Sequence, residues 1–207
     1  MIKTVVLDFN GTLLDDVDLC LHCLNRLVKK YLARPEVSKE EYLRIFTFPV
    51  KDYYEKIGFN FAEVSFASLG QEWFSYYQEG KEYFHLYKEA IPFLQRCQQQ
   101  QIECVLLSAS RKQDLLAQCA QLKITSYFTE IWGISDIYAH GKIALAKQMM
   151  KKRQPEECLF IGDSLHDKEV ADAVGCACVL LANGHQAVDV LRKAKTTVVN
   201  TLQEVIL

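Results

Sequence analysis

The sequence lacks the features that would place the chain in a membrane or on a secretory route. No apolar run approaches the eighteen or so residues that a transmembrane helix needs, and no secretory apolar segment precedes the first predicted strand. We therefore expect a cytoplasmic location and no membrane partner. The eight cysteines lie within apolar patterns, so we expect reduced thiols in the core. Cys20 and Cys23 are spaced as a Cys-x-x-Cys pair, but no second pair is placed to complete a zinc site.

The sequence also lacks a block of Lys and Arg, and its formal net charge is only -2. This charge argues against a nucleic acid as the main partner and leaves small anions as ligands. There are no internal repeats, low-complexity tracts or flexible linkers. The 207 residues, half of them hydrophobic, suit one domain or a domain that carries an insertion.

Two familiar phosphate-binding motifs are absent. The chain has no Gly-x-Gly-x-x-Gly, and Gly141-Lys142 lacks both the upstream glycine and the following Ser or Thr of a Walker P-loop. If the protein binds phosphate, it does so with another arrangement of residues.

The chain from residue 90 onward alternates between helical and strand patterns, which predicts a parallel sheet with helices on both faces. Apolar runs predict strands, and periodic apolar positions predict helices. The predicted strands are 4–7, 103–107, 130–134, 158–161, 177–181 and an edge strand at 197–199. The predicted helices of this part are 90–101, one carrying Leu115 to Leu122, 142–152 and 168–174.

Residues 16–84 show no strand alternation, and helical patterns fill them at 17–31, 38–46, 52–57 and 62–83. This predicts an all-helical insertion after the first strand. It holds fifteen of the 23 aromatic residues. We interpret most of them as the core of a small helical bundle, and alternatively some of them, around Phe46 to Tyr54, as the lining of a pocket.

Three polar residues lie at or just past the ends of predicted strands. These are Asp8, Ser108 and Asp163. In open parallel sheets the ligand binds beyond the carboxyl ends of the strands, so the three side chains are expected to converge. Gly11 lets the backbone after the first strand come close to a ligand.

These residues fall within motifs that resemble those of the haloacid dehalogenase superfamily, in the family's order. Asp8-Phe9-Asn10-Gly11-Thr12 resembles motif I, Ser108 motif II, Lys142 motif III, and Gly162-Asp163-Ser164-x-x-Asp167 motif IV. The helical insertion falls where the family's type 1 caps fall. The resemblance implies a Rossmann-like core at 1–15 and 85–207, a helical cap at 16–84, and similarity to phosphoglycolate phosphatases.

The resemblance also implies a chemistry and a cofactor. Asp8 would attack the phosphorus of a small phosphorylated metabolite. Mg²⁺ would be held by the side chains of Asp8 and Asp163 and the main-chain carbonyl of Asn10, with Asp167 as a further ligand or an anchor. Lys142, Ser108 and the backbone near Ala109 would bind phosphate oxygens, since phosphoryl transfer depends on positioning and charge compensation. Simpler interpretations are a helix N-cap for Ser108, a solvated helix-start lysine for Lys142, and acids that merely favour a helix N-terminus for Asp163 and Asp167.

Asn10 departs from the family pattern, where a second Asp protonates the leaving group and activates water. An amide has no titrating proton, and general acid–base catalysis typically supplies about 10² to 10⁴ in rate. Three outcomes stay open: slow hydrolysis that favours acyl or aryl phosphates, another acid such as His166 or a cap residue, or a regulatory protein that binds phosphate and metal without turnover. His166 and His185 are otherwise expected to be solvated loop histidines.

Other activities of the superfamily fit the sequence less well. Its dehalogenases work without metal and have no need of the Asp163 and Asp167 motif. Phosphonate cleavage would need a cap lysine that forms a Schiff base; Lys51 and Lys56 are present, but no feature marks either as desolvated. Lys51 is instead assigned a substrate-binding role, within a stretch expected to face the cleft.

Overall fold

The fold is built on a six-stranded, wholly parallel sheet. The computed structural model describes residues 1–134 and 141–207. The strands pair in the order β3-β2-β1-β4-β5-β6, so β1 lies in the middle. They are β1 Thr4–Leu7, β2 Glu103–Arg111, β3 Glu130–Ile134, β4 Cys158–Gly162, β5 Ala177–Leu181 and β6 Thr197–Val199.

Helices surround the sheet and fill the connection between β1 and β2. They are α1 Val17–Tyr31, α2 Lys39–Ile45, α3 Val50–Ile57, α4 Phe66–Glu79, α5 Ala90–Gln99, α6 Lys112–Gln121, α7 Lys142–Met149, α8 Leu165–Ala173 and α9 Val188–Leu191. Four of them, α1 to α4, lie between β1 and α5, and residues 16–84 contain no strand. We call residues 17–79 the four-helix segment.

Both faces of the sheet are covered, as the strand patterns predict. In β1, Leu7 packs in one apolar cluster with Phe93 of α5 and Leu115 of α6. Val6 packs in a second cluster with Met149 of α7 and Val170 of α8. Since alternate residues of a strand point to opposite faces, the two clusters lie on opposite sides of the sheet. The α/β, Rossmann-like fold is confirmed.

Several predicted elements have other bounds in the structure. The helix expected over 168–174 begins already at Leu165, and the helix expected over 142–152 ends at Met149. The helix expected over 62–83 begins only at Phe66, because Ser65 caps it, and gives way to a 3-10 turn after Gly80. The strand expected to end at Leu107 continues to Arg111, with a register shift between these residues against β3. This extension makes Ser108 a strand residue and not the helix N-cap of the simpler interpretation.

The order of the strands fixes where a ligand can bind. From β1 the chain moves to β2 on one side of the sheet, whereas β4 pairs with β1 on the other side. A crevice forms beyond the carboxyl ends of the strands at such a reversal. Asp8 follows β1 directly, and Asp163 follows β4.

The core thiols are also confirmed. All eight cysteines are free and buried. Within residues 1–134 and 141–207, none of the helices combines the length and the apolar character that crossing a bilayer requires.

Candidate active site

The loop after β1 brings Asp8 to the crevice and turns back tightly. The Asp8 amide donates to the carbonyl of Ile161 in β4 (2.9 Å), which fixes the tip of β1 against its neighbour. Gly11 has a φ of 69°, and a Cβ there would collide with the carboxylate of Asp163. Only glycine fits both the backbone conformation and this close approach.

Lys142, at the start of α7, joins two of the site's carboxylates. Its Nζ lies 2.5 Å from Oδ1 of Asp8 and 2.5 Å from Oδ1 of Asp167. The side chain is buried, so Lys142 is not the solvated lysine of the simpler interpretation. Burial alone would lower the pKa of Lys142, but the charges of Asp167 and Asp8 raise it above its ordinary value. The ammonium is therefore charged in the site.

Asp167 anchors the loop between β4 and α8. Its Oδ2 accepts from the amide of Ser164 (3.0 Å) and from the Ser164 hydroxyl (2.6 Å). The pair forms a capping box at the start of α8. Burial alone would raise the pKa of Asp167, but the charge and hydrogen bond of Lys142 hold it below its usual value.

Asp163 completes a group of three carboxylates. Its Oδ1 accepts from the Thr12 hydroxyl (3.2 Å) and its Oδ2 from the His185 amide (2.6 Å). Ligand oxygens of Asp8, Asp163 and Asp167 all lie within 4.8 Å of one another. Hard oxygen donors at this spacing suit a divalent cation such as Mg²⁺.

The raised pKa values of two of these acids, Asp8 and Asp163, also fit a cation site. Burial raises the pKa of Asp8 to about 6, against the opposing attraction of Lys142. Burial likewise raises the pKa of Asp163 to about 7, and the charges of Asp167 and Asp8 add to the effect. Although the charges of Lys142 and His185 oppose the effect of burial, the pKa values of Asp8 and Asp163 stay raised, and a bound divalent cation would compensate these carboxylates.

Ser108 and Ala109 lie at the end of β2, beside the carboxylates. Ser108 is buried, and its Oγ accepts from the Ser110 amide (3.1 Å). Ser110 in turn donates from its hydroxyl to Oδ1 of Asn10 (3.0 Å). Ser108, Ala109 and Ser110 all line the same cavity as Asp8 and Lys142.

Both polar atoms of the Asn10 side-chain amide are hydrogen-bonded. While its oxygen accepts from Ser110, its Nδ2 donates to Oδ2 of Asp16 (2.6 Å) and to the Tyr77 hydroxyl (3.1 Å). Tyr77, in α4, also donates to Oδ2 of Asp16 (2.8 Å). Asp16, at the start of α1, is therefore a buried hydrogen-bonding centre that the sequence did not single out.

The expectation that His185 is a solvated loop residue is wrong. His185 is buried; its Nε2 lies 3.2 Å from Oδ1 of Asp16 and its Nδ1 lies 2.8 Å from the Tyr42 hydroxyl. Burial alone would lower the pKa of His185, but the hydrogen bond and charge of Asp16 raise it to about 9. The same hydrogen bond holds the pKa of Asp16 below its usual value despite burial.

Asp16, Cys20 and His185 also bring three possible metal ligands together. However, the carboxylate of Asp16 already accepts from Asn10, Gly11 and Tyr77. Since its oxygens are used by these donors, we interpret the cluster as a hydrogen-bonded link and not as a metal site.

His166 is also not a solvated loop residue. It belongs to the first turn of α8, and its ring stacks on Phe48 at a centroid distance of 4.7 Å. Its Nδ1 lies 3.1 Å from Glu169.

A cavity of about 420 Å³ lies between the carboxylates and the four-helix segment. Both interpretations of the aromatic residues hold in part: Tyr42 and Tyr53 are buried, yet they line the cavity together with Phe46 and Phe48. The structure does not bring Lys51 to this site. Its side chain is exposed, lies 3.9 Å from Glu55 and is not part of the cavity wall.

Comparison with known proteins relates this site to a family. A sequence model described as haloacid dehalogenase-like hydrolase matches residues 5–181. None of the curated proteins matches the chain by sequence.

Many solved structures resemble the whole chain. A haloacid dehalogenase-like hydrolase from Streptococcus pneumoniae superposes with a TM-score of 0.82 at 18% identity, covering 98% of this chain and 96% of that one. A predicted phosphoglycolate phosphatase from Haemophilus somnus gives 0.75 at 19% identity, covering 97% and 95%. CbbY from Rhodobacter sphaeroides, solved in complex with phosphate, gives 0.74 at 15% identity, covering 99% and 96%.

Proposed function

The chain belongs to the haloacid dehalogenase-like hydrolases, and on that premise we propose that it is a Mg²⁺-dependent phosphatase. It hydrolyses a small phosphomonoester through an aspartyl-phosphate at Asp8. One observation carries the proposal: the Lys142 ammonium lies 2.5 Å from Asp8, in a cavity that Asp163 and Ser108 also line. A nucleophile, a cation and hydrogen-bond donors therefore face one space large enough for a phosphate ester.

Each residue has a role in the first half of the reaction. The carboxylate of Asp8 attacks phosphorus, and the bond to the ester oxygen breaks. Lys142 and the Ser108 hydroxyl bind the phosphate oxygens, with the backbone near Ala109 beside them. Asp8, Asp163 and the main-chain carbonyl of Asn10 would hold Mg²⁺, whose positive charge would offset the repulsion between carboxylate and phosphate. Asp167 holds Lys142 and the α8 loop in place.

The division of the chain is part of the proposal. Residues 1–15 and 85–207 form the core that carries these residues, and residues 16–84 form a helical cap over them. The support is that aromatic side chains of α2 to α4 line the cavity opposite Asp8. A cytoplasmic location also belongs to the proposal, and eight buried free thiols suit a reducing compartment.

A phosphate-release assay over a panel of phosphomonoesters tests the proposal. The native protein and Asp8→Asn are compared, each with Mg²⁺ and with a chelator, after circular dichroism has shown that both fold. We expect Mg²⁺-dependent phosphate release that Asp8→Asn abolishes. Residual turnover of Asp8→Asn within about tenfold of the parent would remove Asp8 from the mechanism.

Asn10 favours a second candidate, a protein that binds phosphate and metal without turnover. Its amide is engaged by Ser110 and Asp16 and carries no proton to transfer. For such a protein, Mg²⁺ and inorganic phosphate would raise the melting temperature, since ligands that bind only the folded state stabilise it. No ester of the panel would release phosphate. Mg²⁺-dependent turnover that is lost in Asp8→Asn would exclude this candidate.

A further inference from the structure

Aromatic rings of the four-helix segment form much of the wall of the cavity. Phe46 stacks on His185 at a centroid distance of 5.0 Å, and Trp73 stacks on Tyr77 at 5.0 Å with their planes 17° apart. Nine aromatic residues of the four-helix segment contribute to the wall, among them Phe46, Trp73, Phe74 and Tyr77. Such a wall favours a flat, apolar group by stacking and by burial of surface.

The charges in the cavity leave little to bind a second anionic group. Among the lining residues that the structure describes, Lys142 is paired with Asp8 and Asp167. Arg111 is paired with Asp114 at 2.7 Å, and its guanidinium lies 4.6 Å from the centroid of Phe74. His185, a further cation of the wall, is paired with Asp16. A carboxylate on the leaving group would therefore compete with a carboxylate of the protein for each of these cations, and its desolvation would be poorly compensated.

Asn10 adds a chemical restriction that does not depend on the shape of the cavity. Without an acid at this position, residue 10 gives the leaving oxygen no proton. An alkoxide is a poor leaving group under these conditions, whereas an aryl oxide spreads its charge into the ring and departs readily. The lack of an acid at residue 10 and the aromatic wall of the cavity thus both favour a phosphate ester of an aryl group.

We propose that the substrate is a phosphate monoester of an uncharged phenolic hydroxyl, an inference that rests on the proposed phosphatase function. A carboxylate oxygen of Asp8 forms a bond to phosphorus, and the bond between phosphorus and the aryl oxygen breaks with its electron pair going to the aryl oxygen. The aryl oxide takes a proton from solvent. Water then attacks phosphorus and loses a proton to solvent, the bond to Asp8 breaks, and inorganic phosphate is released as Asp8 regains its carboxylate.

Five esters separate ring recognition from leaving-group chemistry. Phenyl phosphate has a ring and a good leaving group, benzyl phosphate a ring on an alkyl oxygen, and cyclohexyl phosphate similar size without aromaticity. Acetyl phosphate is a good leaving group without a ring, and phosphoglycolate carries a carboxylate. We expect kcat/KM to be highest for phenyl phosphate, with benzyl phosphate above cyclohexyl phosphate and phosphoglycolate lowest.

Variants of the wall test the ring contacts directly. Phe46→Leu and Trp73→Leu are each expected to raise KM for phenyl phosphate by about tenfold while leaving KM for acetyl phosphate unchanged, because each removes an aromatic ring that can stack on the substrate. Tyr83→Leu is the matched control: Tyr83 is 68% exposed, does not line this cavity, and its replacement should change neither KM. Two variants of the wall are made so that, if one of them fails to fold, the other still tests the ring contacts.

The outcomes separate this inference from the proposed function. Phosphoglycolate or acetyl phosphate hydrolysed as well as phenyl phosphate, or an unchanged KM for phenyl phosphate in both wall variants, would overturn the aryl substrate class but leave a phosphatase. Absence of Asp8-dependent phosphate release from all five esters would overturn the phosphatase itself, and the aryl substrate class with it.

Discussion

The side-chain amide of Asn10 donates to the carboxylate of Asp16, with 2.6 Å between Nδ2 and Oδ2. Both residues line the same cavity as the nucleophile Asp8. Asn10 lies in the loop after β1, and Asp16 directly precedes α1. In this family the position of Asn10 usually carries an Asp that acts as the acid. Here the amide of Asn10 is instead hydrogen-bonded to the carboxylate of Asp16, six residues further along the chain. An Asp at position 10 would bring two carboxylates together at a buried site.

This contact predicts how stability changes in Asn10→Asp, the substitution that restores the second Asp of the family's motif I. Asn10→Asp should lower the free energy of unfolding by about 1–3 kcal/mol, because a buried hydrogen bond becomes a repulsive contact. Adding Asp16→Asn should recover much of the loss by reversing donor and acceptor. Chemical denaturation measures both.

Asp18→Asn serves as the control for this pair. It removes an exposed acid from the first turn of the same helix, and we expect a change within about 0.5 kcal/mol. If Asn10→Asp is as stable as the parent, the amide does not hold Asp16 as described.

The chemical role of Asn10 predicts a dependence on the leaving group. Asn10→Asp, with or without Asp16→Asn, should raise kcat/KM for alkyl phosphates by about 10²-fold or more, since an acid at this position protonates the leaving oxygen. The gain for aryl phosphates should be smaller, because they need less protonation. Steady-state kinetics on benzyl and phenyl phosphate measure the two gains. Equal gains would show that protonation of the leaving group is not what Asn10 limits.

Lys142 stabilises the fold as well as the site. Lys142→Met should reduce the free energy of unfolding by about 3–5 kcal/mol, because it leaves buried carboxylates without their cation. Added Mg²⁺ should reduce the loss. The matched control is Lys147→Met, an exposed lysine of the same helix, for which we expect a change within about 0.5 kcal/mol. Similar losses in the two variants would mean that the pairing with Asp8 and Asp167 adds no stability.

The ion pair between Glu103 and Arg153, outside the active site, predicts part of the loss of folding stability at low pH. Glu103 accepts from Arg153 at 3.0 and 2.8 Å, and these hydrogen bonds lower the pKa of Glu103 from 4.5 to about 2. The stabilisation is therefore full above pH 4.5 and is lost as the pH falls towards 2. Glu103→Gln should be less stable at neutral pH and should lose less stability over this acid range. Glu156→Gln, which replaces an exposed acid, is the control, and its stability should follow that of the parent over the same pH range. If Glu103→Gln and the parent lose stability identically in acid, the pairing of Glu103 with Arg153 does not cause the loss.

The sequence was sufficient for the fold and for the residues at the strand ends. Buried apolar runs such as Val5 to Leu7 mark strands whatever surrounds them, and parallel order forces their carboxyl ends together. Asp8, Ser108 and Asp163 therefore line one cavity, as the strand ends predict, and Lys142, which the resemblance to the family indicated, lines it too.

The parts that the sequence did not reveal depend on tertiary contacts. His185 looks like a polar loop residue until the fold places it against Asp16, which is 169 residues away along the chain. The aromatic residues of α4 repeat at helical spacing whether they face a core or a cavity, so Trp73 and Tyr77 gave no separate signal. The place of Lys51 in the chain predicts a substrate contact, but α3 directs its side chain towards Glu55 and solvent.

Nucleophilic attack by Asp8 is tested most directly by trapping the aspartyl-phosphate. Native protein is mixed with phenyl phosphate and Mg²⁺, quenched in acid and digested, and mass spectrometry locates the phosphoryl group. Because Asn10 cannot activate water for the second step, the intermediate should accumulate on the peptide that contains Asp8 and be absent from Asp8→Asn. Release of phosphate with no phosphorylated peptide, or with the phosphoryl group on another residue, would contradict an aspartyl-phosphate at Asp8.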